Sequence, residues 1–314
     1  MKLTEITDLP YIMQLSSRLK SIACVVFIMM QLFLPAIGSE QRATILAGVS
    51  KDTLYDISVA DAKIAFTLVL NDILKESGEV VALDVFQNKI EVQNKLLKGD
   101  IDAVFTDTLQ YLEMEEILNP NGTYVIQHGP NIKPKFYLIA KRNAGTDSLE
   151  DLKRRKISIP KGYDVGNMYL DVLLMRQNYP VSNQFFSAIR ETSDSNSALI
   201  DLFFGKVDAA LVTDFSYEVA CELNPQMRKQ LNIIQVSEPL IHQVVAVRED
   251  FSQDKLDKIE PFFLNTQRSA NLAQSMLLFR ISAITKLSSN SLTEVRNLRH
   301  EFHDLSRRAN PSAN

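Results

Sequence analysis

The chain has 314 residues, which is enough for about two domains with a large hydrophobic core. Its composition is ordinary for a globular protein, with 46% hydrophobic residues, 23% charged residues and a net charge of −4. An acidic chain without a basic stripe lacks the electrostatic features of a nucleic-acid-binding protein, so that class is excluded.

The first 38 residues are predicted to be a signal peptide that directs export to the periplasm. Arg18 and Lys20 precede the apolar run 21–34, and small residues occupy the −3 and −1 positions of a cleavage after Gly38. Translation from Met13 would give a more ordinary signal. Retention of the segment as an uncleaved membrane anchor is the alternative, although the run is short for a membrane span.

Strand and helix patterns alternate from residue 43 onward, which predicts an α/β fold. In the first part of the chain the strands are 43–49, 80–86 and 101–105, and the helices are 61–75, 91–98 and 106–117. Strand–helix–strand spacing of this kind predicts right-handed crossovers and a mostly parallel sheet.

The same pattern then restarts. The later strands are 136–140, 156–159, 185–189, 207–212, 231–236 and 244–247, and the later helices are 149–155, 168–178 and 195–204. The chain leaves the first unit near Tyr137 and re-enters it near Val245, which predicts two lobes. The expected boundaries are a first lobe of 39–139 plus 246–287, a second lobe of 140–245, and a polar tail, 288–314, that frays.

One sequence motif occurs twice, as LLKGDIDAVFTDTLQY at 96–111 and LFFGKVDAALVTDFSY at 202–217. The spacing between the two copies is the same for Gly99 and Gly205, for Asp102 and Asp208, and for Tyr111 and Tyr217. The Thr-Asp pair, 106–107 in the first copy and 213–214 in the second, is offset by one residue. Each copy predicts a glycine-capped helix end, a turn and a strand, followed directly by Thr and Asp. Ligands bind beyond the carboxyl ends of parallel strands, so these side chains are either ligand contacts or helix N-caps.

The chain resembles the type II, two-lobed periplasmic solute-binding proteins, and more narrowly the phosphonate/phosphate-type substrate-binding proteins of ABC transporters. The resemblance covers about residues 42–270 and rests on ATILAGVS, LLKGDIDAVFTD, YLIAKRNAGTDSLEDLKRRKISIP and SALIDLFFGKVDAALVTD. It implies two α/β lobes, each a mostly parallel sheet flanked by helices, with two crossover strands as a hinge that closes on the ligand.

The resemblance carries over to individual residues unevenly. Ser50, in the first loop, is placed to donate to an oxyanion, and Lys89 falls where the family has an aromatic residue. The serine- and threonine-rich phosphonate motif that should follow Pro160 is absent, as is a histidine near the start of the next helix. The candidate ligand contacts are Ser50, Lys89, Thr106, Asp107, Lys161, Tyr163, Asp194, Ser195, Thr213 and Asp214.

These departures change the expected ligand. Four carboxylates, Asp107, Asp164, Asp194 and Asp214, are predicted to surround the cleft, where each would repel a phosphonate dianion unless a cation pairs with it. A cationic or zwitterionic ligand, such as an amine or an amino-acid derivative, fits this charge better. Tyr163 and Tyr217 are predicted either to face such a cation or to pack in the core.

The expected partners are a small-molecule ligand and a membrane permease, with a sensor receptor as the alternative and a monomer as the oligomeric state. An enzyme on the same scaffold is the rival function, but no zinc-ligand spacing, nucleophile elbow or dinucleotide fingerprint occurs. Cys221, the only cysteine beyond the signal, is expected to be a buried inert thiol. We therefore expect no catalysis, no metal and no cofactor.

Overall fold

A computed structural model describes residues 45–54, 59–127, 129–142, 144–268, 270–278, 281–288 and 290–309. The predicted signal peptide lies outside the described residues. None of the helices in these ranges is both long and apolar enough to cross a membrane.

Eleven strands and eleven α-helices are described. The strands are β1 (Ile45–Ser50), β2 (Val81–Phe86), β3 (Ala103–Asp107), β4 (Leu118–Gln127), β5 (Phe136–Lys141), β6 (Lys156–Pro160), β7 (Ala188–Thr192), β8 (Ala209–Thr213), β9 (Leu231–Val236), β10 (Gln243–Arg248) and β11 (Ala283–Lys286). The helices are α1 (Val59–Leu74), α2 (Lys89–Leu97), α3 (Thr108–Met114), α4 (Asp164–Arg176), α5 (Ser182–Phe185), α6 (Ser195–Phe203), α7 (Asp214–Leu223), α8 (Pro225–Gln230), α9 (Gln253–Leu264), α10 (Ala270–Leu278) and α11 (Thr293–Ala309). Short 3-10 helices occur at Lys75–Ser77, Glu115–Ile117 and Glu150–Leu152.

The strands form two mixed sheets flanked by helices, which fits the predicted two-lobed α/β fold, but the sheets are not mostly parallel as predicted, because antiparallel pairs equal or outnumber the parallel ones. The first sheet has the order β11-β4-β10-β3-β1-β2, and the second has the order β7-β6-β8-β5-β9. Each contains three parallel strands in the same arrangement, β2-β1-β3 and β7-β6-β8, next to an antiparallel strand, β10 or β5. β5 and β10 each follow a connection from the other sheet.

The chain passes between the sheets twice. One connection joins β4 to β5 and the other joins β9 to β10, and both are irregular where they are described. The backbone N–H of Leu240 in the second connection donates to the carbonyl of Pro134 in the first at 2.8 Å. The two connections are therefore bonded to each other at the point where a hinge is expected.

The repeated motif has the same structural role in both sheets. Gly99 and Gly205 end α2 and α6 in the left-handed conformation, with φ of 74° and 72°. Asp102 Oδ2 accepts the backbone N–H of Leu46 at 2.9 Å, and Asp208 Oδ2 accepts that of Lys156 at 2.9 Å. Each aspartate therefore ties the start of its own strand to the start of the neighbouring parallel strand.

We expect Asp102→Ala and Asp208→Ala each to lower the free energy of unfolding by about 1 kcal/mol, because each removes a charge-assisted hydrogen bond to a backbone N–H. Chemical denaturation of the two variants measures this loss. Ligand affinity should not change, because both aspartates lie at the strand starts, opposite the carboxyl ends. Asp100→Ala, which removes an exposed partner of Lys95, is the control. A loss no larger than that of the control would contradict the proposed role.

The C-terminal tail differs from the prediction. Residues 293–309 form a packed helix, α11, in which Val295 and Leu298 are buried and Phe302 and Leu305 are half-buried against the same cluster. These apolar positions are three or four residues apart, but the predicted tail is rich in Ser, Asn, Arg and His, so composition concealed the amphipathic pattern.

Several boundaries also differ. β4 was not predicted, since Asn-Pro-Asn-Gly reads as a turn, although its end pairs with β10 and β11. The predicted helix 149–155 is only the 3-10 turn Glu150–Leu152, and the predicted helix 168–178 begins at Asp164. The predicted strand 185–189 lies at 188–192, because 182–185 are helical.

Candidate functional site

One lysine connects the two sheets at the carboxyl ends of their strands. Lys89, in the first turn of α2, places its Nζ 2.6 Å from Asp107 Oδ2, at the end of β3 in the first sheet. The same Nζ is hydrogen-bonded to Asp164 Oδ2 at the start of α4, which follows β6 of the second sheet. Because β3 and β6 belong to different sheets, this trio marks where the two lobes meet.

The trio is partly withdrawn from water. The exposed fractions of the side chains are 25% for Lys89, 5% for Asp107 and 38% for Asp164. Burial disfavours the charged lysine, but Asp107 and Asp164 outweigh that effect and raise the pKa of Lys89 above its ordinary value. Two carboxylates and one ammonium leave the trio with an excess of negative charge.

Asp107 has a second role through its other oxygen. Its Oδ1 accepts the backbone N–H groups of Leu109 and Gln110, at 3.0 Å each, and so caps α3. Its Oδ2 is engaged by the Lys89 ammonium, 2.6 Å away. Capping through Oδ1 therefore orients the carboxylate so that Oδ2 points at Lys89.

Gln110 orients the backbone that carries Lys89. Its Nε2 donates to the Lys89 carbonyl at 2.8 Å, while its Oε1 accepts the Thr106 hydroxyl at 2.6 Å. In this structure the hydroxyl of Thr106, which was predicted as a ligand contact, is hydrogen-bonded to Gln110. Gln110 was not predicted, although Asp followed three residues later by Gln is a recognisable N-terminal capping pattern.

On the side of the second sheet, two predicted residues meet each other. The Tyr163 hydroxyl and Ser195 Oγ are 2.6 Å apart, both side chains are buried, and either oxygen can donate. The Tyr163 ring packs edge-on against Phe136, with ring centroids 5.6 Å apart. This hydrogen bond joins the N-terminus of α6 to the residue before α4.

The remaining predicted residues mostly cap turns and helices. Ser50 Oγ lies 2.9 Å from Thr53 Oγ1 in the turn after β1, and Thr213 accepts the Ser216 N–H at the start of α7. Asp214 Oδ1 accepts the N–H of Phe215. The exposed Lys161 donates its backbone N–H to Thr192, and no ion pair of its side chain is seen among the described residues.

Asp194 is the N-cap of α6. Its carboxylate accepts the N–H and the hydroxyl of Ser197, at 2.6 and 2.8 Å, and the hydroxyl of Ser193 at 2.7 Å. Burial opposes ionisation of this carboxyl, but the hydrogen bonds from Ser197 and Ser193 lower the pKa of Asp194. Its oxygens are therefore already engaged.

The repeat also explains the slipped Thr-Asp pair. Asn88 and Asp194 are the N-caps of α2 and α6, so Lys89 and Ser195 occupy equivalent first-turn positions in the two lobes. Asp107 and Thr213 are likewise the equivalent caps of α3 and α7. The lobes share backbone geometry at these positions but present different side chains: the first lobe has Lys89 and Asp107 where the second has Ser195 and Thr213.

Within the described ranges, no group of three or more His, Cys, Asp and Glu residues could hold a metal ion. Cys221 is buried, and burial raises the pKa of its thiol. The charged trio and the buried hydroxyl groups beside it offer binding through charge and hydrogen bonds.

Residues 56–291, well over half of the chain, match the model of a family described as the phosphonate periplasmic substrate-binding protein of ABC transporters. No curated protein matches the sequence.

Solved structures share the fold at low sequence identity. A binding-protein component of an ABC phosphonate transporter from Pseudomonas aeruginosa is 16% identical with a TM-score of 0.64, over 86% of this chain and 90% of that chain. A Prochlorococcus marinus protein in complex with methylphosphonate is 15% identical with a TM-score of 0.61, over 84% and 98%. A Xanthomonas citri protein bound to ATP is 11% identical with a TM-score of 0.62, over 83% and 98%.

Proposed function

We propose, from the premise that the chain belongs to the phosphonate periplasmic substrate-binding family of ABC transporters, that its ligand carries a positively charged group. A member of this family captures a small solute and delivers it to a membrane permease. In this chain the ligand would lie between the lobes, with its cationic group at Asp107 and Asp164 and its polar remainder at the helix N-termini nearby.

The charged trio is the observation that supports this ligand class. Asp107 Oδ2 is paired with the Lys89 ammonium at 2.6 Å, and a carboxylate oxygen has a second lone pair with which it can accept a hydrogen bond from a ligand ammonium. Asp164, on the other lobe, is 38% exposed and is shared with a single ammonium. A ligand cation between them would contact both lobes, which is what favours the closed state.

The same charges oppose a simple phosphonate dianion. Two carboxylates against one lysine leave a net negative charge where the anion would have to lie, and repulsion between like charges is strong at a partly buried site. A zwitterion avoids this conflict if its anionic end meets the N–H groups at the start of a helix such as α6. The phosphonate-bound and ATP-bound relatives share the fold, and the ligand of this chain would differ in charge.

We further propose that lobe 1 comprises 39–139 with 246–287 and lobe 2 comprises 140–245, after removal of residues 1–38 on export to the periplasm. Membership of the sheets supports the division into two lobes, since β1–β4, β10 and β11 lie in one sheet and β5–β9 in the other, although by this criterion the lobes change just before β5 and just before β10, a few residues earlier than these bounds. The protein would act as a monomer that returns its ligand chemically unchanged, and an ABC permease is the proposed docking partner.

A thermal-shift series tests the ligand class. Methylphosphonate, phosphate, 2-aminoethylphosphonate, simple amines and amino acids are each added to the purified chain. We expect amine-containing compounds to raise the melting temperature most, since a ligand at 100 times its Kd adds about 2.7 kcal/mol of stability. If methylphosphonate stabilises the protein as much as its amino counterpart, the carboxylates do not select a cation.

A further inference from the structure

The C-terminal helix lies across both lobes. α11 follows β11, the last strand of the first sheet, yet it packs mainly against α4 of the second lobe and also against α3 of the first. The residues that match the family end at 291 and α11 begins at 293, so this helix lies beyond the matched region.

Ion pairs fix α11 at three separate places. Glu294 Oε2 lies 2.7 Å from Lys133 Nζ, in the connection between β4 and β5. Arg296 pairs with Glu115, which follows α3 in the first lobe. The contacts therefore reach both the first lobe and the hinge region within the first turn of the helix.

The third ion pair reaches the second lobe. Glu301 accepts two hydrogen bonds from Arg176 at the end of α4, from Nε and Nη2, at 2.7 Å each. Two parallel bonds fix the direction of both side chains, which a single contact does not. The hydrogen bonds from Arg176 also lower the pKa of Glu301.

Apolar contacts accompany these ion pairs. Val295 and Leu298 of α11 belong to the same buried cluster as Tyr111 of α3 and Leu170 of α4. The cluster is continuous from one lobe to the other along this side of the molecule. An opening motion that separates α3 from α4 must therefore either carry α11 with one lobe or expose part of this cluster.

We infer that α11 is an interlobe brace, a helix anchored in the first lobe that holds α4 of the second lobe and so restricts opening of the cleft without ligand. The inference goes beyond the proposed function and does not depend on the charge of the ligand. Release of the Arg176–Glu301 contact would accompany each opening. Because surface ion pairs contribute little individually, this contact can open and close reversibly.

The test measures interlobe distance in the full chain without ligand. Spin labels are attached at Asn94→Cys of α2 and Asn196→Cys of α6, both exposed positions, in a background in which Cys24 and Cys221 are replaced by Ala. Pulsed electron resonance then gives the distribution of distances between the lobes. In Glu301→Arg we expect the longer-distance population to rise about fivefold, because the reversal replaces an attraction of the size of a surface ion pair by repulsion.

Two further variants complete the test. Arg176→Glu combined with Glu301→Arg should restore the original distribution, since the pair is re-formed with its charges exchanged. Glu218→Arg disrupts an exposed pair with Arg228 inside the second lobe and should leave the distribution unchanged. If Glu301→Arg unfolds the chain, Glu301→Gln is measured in its place. An unchanged distribution in the Glu301 variant, or failure of the exchange to restore it, would overturn the brace.

Discussion

Replacing Lys89 with Met is expected to lower the free energy of unfolding by about 2–3 kcal/mol. The change leaves Asp107, whose side chain is 5% exposed, without the ammonium that now lies 2.6 Å from it. Removing one partner of a buried pair costs about 3–5 kcal/mol, and the 25% exposure of Lys89 reduces that figure. Denaturant unfolding of the ligand-free variant measures the loss.

A matched control is available on the same helix. Lys95→Met removes another lysine–aspartate pair of α2, Lys95 with Asp100, but this pair is open to solvent, so we expect a much smaller loss. Equal losses in the two lysine variants would contradict the importance of the trio. Adding Asp107→Asn to Lys89→Met should recover part of the stability, because the amide oxygen can still cap α3 while the uncompensated charge disappears.

The second large effect concerns ligand selection. We expect Asp164→Asn to weaken the binding of 2-aminoethylphosphonate about 10- to 100-fold, because a charge-assisted hydrogen bond to the ligand ammonium contributes about 1.5–3 kcal/mol. Methylphosphonate has no ammonium, so its affinity should change little or increase as repulsion is removed. Titration calorimetry with both compounds gives the ratio of their dissociation constants.

The ratio of the two dissociation constants distinguishes an effect on ligand selectivity from an effect on lobe closure. Asp164 also holds Lys89 across the cleft, so its loss can affect closure for every ligand, but an effect on closure alone would shift both affinities together. Asp147→Asn, at an exposed position of the second lobe, serves as the control and should leave both affinities unchanged. If the two affinities fall in parallel in Asp164→Asn, the carboxylate does not recognise the cationic group.

The repeated motif shows how far local sequence determined the candidate site. Position in the repeat predicted that Asp107 and Thr213 lie at the carboxyl ends of strands, and each is the last residue of its strand and the N-cap of the next helix, α3 or α7. The repeat did not predict which of these two N-caps would belong to the ion-pair trio that reaches the other lobe. That difference depends on Lys89, whose counterpart in the second lobe is Ser195.

The sequence by itself determined that there are two related α/β units and that their polar residues lie at the carboxyl ends of the strands. Apolar periodicity and glycine C-caps act within a few residues, so one chain segment suffices to read them. Only the tertiary structure decided that Asp164 would meet Lys89, since these residues lie 75 positions apart in different lobes. The tertiary structure also decided that the polar C-terminal segment would be a packed helix, because Val295 and Leu298 are buried by contact with the cluster that α3 and α4 form. Contacts between lobes depend on packing over the whole chain, and no local pattern encodes that geometry.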